Sequence, residues 1–161
     1  NGMRAGRISF GAVGTELDVS STIRHWCARA ERSPQQVRRK LADWGAANQA
    51  DRILDALLDE DYVNPVRFAE AFTHDHLEFR NWGPAKILSA LTQAHRIDGD
   101  VARKALSARG GEAVEAAALR AAQGWRRLRP DAPREKAIAA LARKGFSIDC
   151  AIRAAEAAEA D

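Results

Sequence analysis

Two cysteines cannot staple a chain of 161 residues, and Cys27 and Cys150 each sit in a helix-patterned stretch with no companion cysteine or histidine set. A disulfide framework is therefore excluded, and inert buried thiols are expected. No signal-peptide pattern opens the chain, so a reducing cytosol is the expected compartment. Apolar runs all fall far short of the ~18 residues a membrane span needs. Aromatic residues make up only 6% of the chain. Alternation of apolar and polar residues with β-branched enrichment is confined to Arg7–Val13, which excludes a β architecture. Charge of one sign is missing too: 25 basic side chains face 22 acidic ones, for a net +3. That is not the field of a protein that coats DNA, although a balanced total leaves room for a basic face.

What is present is alanine and helix punctuation. The chain is 46% hydrophobic with alanine supplying much of that share, and alanine is the best helix former. The class is all-α. Ser33-Pro34-Gln35-Gln36 offers a serine cap, a proline at the first helical position and a glutamine three residues after the cap. Gly45 suits a left-handed helix stop. Asn64-Pro65 and Gly83-Pro84 mark two further starts, Asp131, Pro133 and Ser147 later ones, and Gly110-Gly111 and Gly145 two stops. The pattern predicts nine helices, over 21–31, 34–44, 49–61, 65–80, 84–94, 99–109, 112–128, 133–144 and 148–158.

These helices repeat. Val37, Ile87 and Ala137 are spaced by 50 residues, as are Leu41, Leu91 and Leu141. Gly45 and Gly145 then coincide, with His95 between them. Three tandem three-helix repeats in an elongated, modular arrangement are expected: repeat 1 over 21–63, repeat 2 over 64–111 and repeat 3 over 112–161. Residues 1–20 form an N-terminal extension whose start reads as disordered or tag-derived. Helices this short are marginal alone and lean on their neighbours. Periodicity by itself leaves open a single compact bundle of nine helices.

Several stretches, taken in order, resemble the RecX family. They are Trp26-Cys27-Ala28-Arg29, Glu31-Arg32-Ser33 and Val37-Arg38-Arg39-Lys40-Leu41; then Asp61-Tyr62-Val63 with Arg67-Phe68-Ala69-Glu70-Ala71-Phe72; then Trp82-Gly83-Pro84 with Ile87 and Leu91; and finally Leu141-Ala142-Arg143-Lys144-Gly145-Phe146-Ser147. The similarity spans roughly residues 22–156. Asn64-Pro65-Val66 replaces acidic residues common in the family, and His95 replaces a turn glycine. The resemblance implies tandem three-helix units and a regulator that binds the RecA recombinase and its filament on DNA. Insertion along the filament groove would restrain recombination and the associated co-protease activity. It implies no catalytic residue and no cofactor, and a monomer is expected.

Read on their own, the basic residues cluster. Arg120, Arg126, Arg127, Arg129, Arg134, Lys136, Arg143 and Lys144 stand against Asp131 and Glu135 between residues 119 and 144. Arg38, Arg39 and Lys40 form a second group, and Arg67, Arg80 and Lys86 flank the Arg-Phe-Ala element. Arginine forks suit both phosphates and acidic protein surfaces. The candidate partner-binding set is Arg38, Arg39, Lys40, Arg67, Arg80, Lys86, Arg126, Arg127, Arg129, Arg143 and Lys144. For any one of them a solvated helix face is an equally good account.

The other candidates are weaker. Trp26, Trp44, Trp82 and Trp125 are expected at helix joints rather than as base-stacking platforms. His74-Asp75-His76 has the wrong spacing for two histidine ligands on one helical face, so no metal is expected. Gly11-Ala12-Val13-Gly14 lacks the lysine of a phosphate loop. No nucleophile–base pair stands out, and a non-enzymatic protein is expected. The alternative function is a helical DNA-binding regulator acting through a basic helix-turn-helix-like C-terminal unit. Its second helix contains Asp149, Glu156, Glu159 and just one basic residue, Arg153, which suits a groove reader poorly.

Overall fold

The computed structural model describes residues 15–160. The Arg7–Val13 stretch, the Gly11–Gly14 loop and the start of the expected extension lie outside the described residues. The described chain is all-α, with eight α-helices: α1 Thr15–Ala28, α2 Pro34–Asp43, α3 Ala50–Asp59, α4 Pro65–Glu78, α5 Pro84–Ser89, α6 Gly99–Leu128, α7 Arg134–Arg143 and α8 Ile148–Ala160. A 3-10 turn, Ala47–Gln49, precedes α3, and a π-helical turn, Ala90–Ala94, follows α5. Two compact units divide the chain, one up to Phe68 and the other from Ala69 onward.

In the first unit, Val19, Ile23 and Cys27 place one side of α1 in the core. This face accounts for α1 reaching back to Thr15 rather than starting at the expected residue 21: Val19, one turn ahead of Ile23, is buried on the same side. Val37 and Leu41 of α2 and Ile53, Leu54 and Leu57 of α3 complete the core, with Trp26, Trp44 and Tyr62 packed against it. The start of α2 matches expectation. Ser33, fully buried, accepts from the Gln36 N–H at 3.1 Å while the Gln36 side chain accepts from the Ser33 N–H at 2.8 Å. Such reciprocal capping satisfies two donors that the helix itself cannot.

The second unit explains the abundance of alanine. Gly110 breaks α6 with φ +80°, giving arms 99–109 and 111–128. Along the second arm Ala117, Ala118 and Ala122 are buried, and on α8 so are Ala151, Ala154, Ala155 and Ala158. These two elements pack on each other, and side chains of one methyl let the backbones approach closely. Leu77, Ile87, Leu91, Leu141 and Phe146 supply the bulk of the core.

Internal repetition is visible in the hydrogen bonds. Ile87 and Ala137 are as buried as Val37, and Leu91 and Leu141 as buried as Leu41. The Leu41 carbonyl accepts from Ala46 N–H, and the Leu141 carbonyl accepts from Phe146 N–H, each with a glycine of positive φ just before the donor. The corresponding bond in the middle copy runs from Ile97 N–H to the Leu91 carbonyl, one residue longer. The π-helical turn absorbs that extra residue. The left-handed position therefore falls on Arg96, with φ +55°, while His95 keeps φ −98°. Direct alignment at 50 residues points to His95, and the inserted residue corrects it by one.

Candidate partner-binding site

The two units present different basic groups, and each is described by itself. In the first unit the guanidinium of Arg67 is engaged within the fold. It donates to Glu31 Oε2 at 2.6 Å, to Asp61 Oδ2 at 3.0 Å and to the Asp61 carbonyl at 3.0 Å. Asp61 has φ +63°, so Arg67 pins the strained turn that feeds α4. Its carboxylates hold Arg67 above the ordinary arginine range, and Arg67 together with Asn64 holds Asp61 below the usual carboxylate range. Arg38 pairs with Asp51 at 2.6 Å on the surface. Lys40 lies over the rings of both Trp26 and Trp44, 5.2 and 5.8 Å from their centroids, and Arg32 lies over Trp26 at 4.0 Å. Arg39 is exposed.

In the second unit the basic residues converge. The start of α5 meets the end of α7 backbone to backbone: Gly83 N–H donates to the Lys144 carbonyl at 2.7 Å, and Ala85 N–H to the Gly145 carbonyl at 3.0 Å. A Cβ on Gly83 would overlap the Gly145 carbonyl group. The joint fixes Lys144, whose Nζ donates to the Arg80 carbonyl at 3.3 Å just past the end of α4. Burial and the nearby Lys86 ammonium push Lys144 below the ordinary lysine range. Lys86 itself rests over the Trp82 ring at 4.2 Å.

On the other side of the joint, Arg120 anchors the second arm of α6. It donates to Asn81 Oδ1 at 2.8 Å and to the Leu77 carbonyl at 3.1 Å, and lies 3.6 Å from Glu78. Glu78 also pairs with Arg109. A groove of about 510 Å³ opens beside this anchor. Ala121, Gly124, Trp125 and Leu128 give it an apolar side; Asn81, Arg120, Arg127, Arg129 and Lys144 give it a polar one. Leu128 is 79% exposed. Arg126 and Arg129 stand over the Trp125 ring, 5.3 and 5.1 Å from its centroid. Arg126 also donates to the carbonyls of Arg129 and Ala132, closing the turn after α6.

The fold thus gathers Arg127, Arg129 and Lys144 on one groove, with the Lys86 ammonium and the Arg80 backbone carbonyl next to Lys144. None of the ion pairs among the described residues engages Arg127, Arg129 or Lys144. Arg143 is exposed beside Lys144, outside the lining. Trp125 and Leu128 were not singled out as site residues by sequence. Their signal was the i, i+3 spacing of Trp125 and Leu128, which puts an aromatic and a leucine on one side of the helix end among Arg126, Arg127 and Arg129.

The remaining candidates have other surroundings. His76 stacks on Phe72 at 3.7 Å and lies 4.5 Å from Trp82, with its Nδ1 2.9 Å from the Phe72 carbonyl. Among the described residues no group of three His, Cys, Asp or Glu side chains could hold a metal ion. Both cysteines are buried; burial pushes the Cys27 thiol up to about 11, and burial with the Glu115 carboxylate raises Cys150. No described helix is long and apolar enough to cross a membrane. On α8, Arg153 pairs with Glu115, and Glu156 and Glu159 pair with Arg134, so that helix offers few donors to a base edge.

Residues 66–106 match the model of RecX, second three-helix domain. The chain is similar over 90% of its length to the crystal structure of RecX from Lactobacillus salivarius, with 97% of that chain covered, 19% identity and a TM-score of 0.74. A crystal structure of regulatory protein RecX is similar with 20% identity and a TM-score of 0.74, covering 90% of this chain and 71% of that one. No curated protein matches the sequence.

Proposed function

We propose that this chain, whose residues 66–106 match the model of RecX, second three-helix domain, is a RecX-family regulator that binds the RecA recombinase and its filament on DNA and restrains recombinase and co-protease activity. The observation that carries this reading is the convergence of Arg127, Arg129 and Lys144 on one groove, with Lys86 adjoining and Arg80 in the turn that holds Lys144. A nucleoprotein filament presents acidic protein surface and phosphates, and guanidinium groups without a carboxylate partner suit both. Arg126 and Arg143 border this face, and Arg38, Arg39 and Lys40 supply a second basic surface on the first unit. Arg67, held by Glu31 and Asp61, serves the partner indirectly by fixing the start of α4. Three repeats, over 21–63, 64–111 and 112–161, are the proposed modules, acting as a monomer in the cytoplasm. No chemical step is proposed: the protein acts by occupancy.

The test is a titration of RecA's DNA-dependent ATP hydrolysis with the purified full chain. Suppression at substoichiometric amounts, weakening as salt is raised, is the expected result. Unchanged hydrolysis at several-fold excess and low salt would overturn the reading.

A further inference from the structure

The groove beside the Gly83–Lys144 joint combines two properties that a pure phosphate site does not need. Its cations, Arg127, Arg129 and Lys144, make no ion pair with any described carboxylate. Its other side is apolar, formed by Trp125 and by Leu128, which stands 79% exposed at the last position of α6. An exposed leucine among arginines loses nothing to a phosphate backbone, which has no apolar face to cover it. Nucleobases are apolar enough, but the Trp125 ring on which one would stack already has the guanidinium groups of Arg126 and Arg129 over it. A carboxylate-rich peptide carrying an apolar side chain meets both needs. Its carboxylates pair with Arg127, Arg129 and Lys144, and its apolar side chain covers the exposed Leu128.

We infer that this groove docks an acidic peptide segment bearing an apolar side chain, contributed by the protein partner rather than by nucleic acid. The inference rests on the proposed regulatory function only for naming that partner. Lys144 is preplaced by its backbone bond to Gly83 and its Nζ bond to the Arg80 carbonyl, and the helix that carries Arg127 is anchored by Arg120 on Asn81. Lys144 and the helix backbone therefore need no ordering on docking, whereas the Arg127 side chain does. Because burial and Lys86 hold Lys144 below its ordinary range, a carboxylate arriving there stabilises the charged ammonium, and docking strengthens as pH falls from the alkaline side.

The experiment uses the full chain and a short fluorescent peptide of glutamates and aspartates with a central pair of leucines. Two competitors are a peptide with serines in place of the leucines and an oligothymidylate of equal charge. Saturable binding is expected. Arg127→Glu and Leu128→Ser should each weaken it about ten- to a hundredfold while leaving the unfolding midpoint unchanged, since both side chains are exposed. The serine peptide and the oligonucleotide should compete poorly. An oligonucleotide that competes as well as the leucine peptide, a peptide that fails to bind, or variants that bind as tightly as the parent would each overturn the inference. The RecA assay then separates the two readings. If the Arg127→Glu/Leu128→Ser double variant suppresses RecA as the parent does, the groove is not the docking site, and the regulatory function stands. If the parent leaves RecA untouched yet binds the peptide through these residues, the groove inference stands and its partner is another protein.

Discussion

Gly83 and Lys144 are joined through their backbones, the glycine N–H donating to the lysine carbonyl at 2.7 Å. Sixty-one positions apart in sequence, they bring the first turn of α5 against the last turn of α7, and only a residue without Cβ permits the approach. The Trp-Gly-Pro element is thus explained by a contact its own helix does not make. Trp82 packs beside His76, Gly83 allows the joint, and Pro84 starts α5 where an N–H is not required.

Gly83→Ala should therefore destabilise the protein by about 2–4 kcal/mol, because the methyl forces the backbones apart and lengthens two buried bonds. Gly111→Ala is the control. Nothing lies within 4 Å of a Cβ there, and alanine at that position should be neutral or stabilising by about 0.5–1 kcal/mol. Urea unfolding of both variants checks the pair, and equal losses would remove the joint from the account.

The shift of the repeat by one residue makes a prediction that separates neighbours. Arg96 occupies φ +55° and His95 φ −98°. Arg96→Gly should be neutral or stabilising by up to about 1 kcal/mol, since glycine relieves the left-handed strain. His95→Gly should destabilise by about 1 kcal/mol, and more if the edge contact with Phe72 at 5.2 Å is lost as well. Thermal unfolding distinguishes the two, and the reverse order would place the turn glycine at 95.

Stability should also depend on pH through His76. Burial pushes its imidazole below the ordinary value of 6.5, with Arg80 and Lys86 adding to the shift against the Phe72 carbonyl and Asp75. From about pH 6.5 downward the unfolded chain takes up this proton before the folded chain does. The stabilisation is full above that pH and is lost as pH falls through the folded-state value. The urea midpoint should fall more steeply between pH 7 and pH 5 for the parent than for His76→Gln. Parallel pH profiles would show that this imidazole does not carry the effect.

The thiols offer a check that needs no substitution. With Cys27 raised to about 11 and Cys150 raised by burial and Glu115, neither presents a thiolate near neutral pH. A disulfide reagent should modify both slowly in the folded protein, with the full yield appearing on addition of guanidinium chloride. Rapid modification of the native protein would contradict their burial.

Much of this architecture is readable from residues because its signals are local. Ser33 and Gln36 cap α2 from within four positions, and Gly45, Gly110 and Gly145 take positive φ where the helical pattern stops. The π-helical turn escapes such reading because one inserted residue leaves every local preference intact and changes only the register. The start of α1 escapes it because burial of Val19, a tertiary contact, extends that helix. The site is harder still. Arg67 and Arg127 are alike in sequence, yet Glu31 and Asp61 meet the first while no described carboxylate pairs with the second. Which arginine has acidic neighbours is decided by tertiary contacts, and the groove exists only once residues 81, 120–129 and 144 have been brought together.

The joint at Gly83 has a bearing on what counts as a folding unit. The stretch that matches a known three-helix domain, 66–106, ends long before Lys144 and Gly145, whose carbonyls receive the N–H groups of Gly83 and Ala85. It also ends before Arg109 and Arg120, the partners of Glu78. Cut free, that fragment would leave two backbone donors and a carboxylate without their partners. The stretch that reveals kinship is therefore not closed on itself: contacts that complete it come from α6 beyond residue 106 and from the residues just after α7.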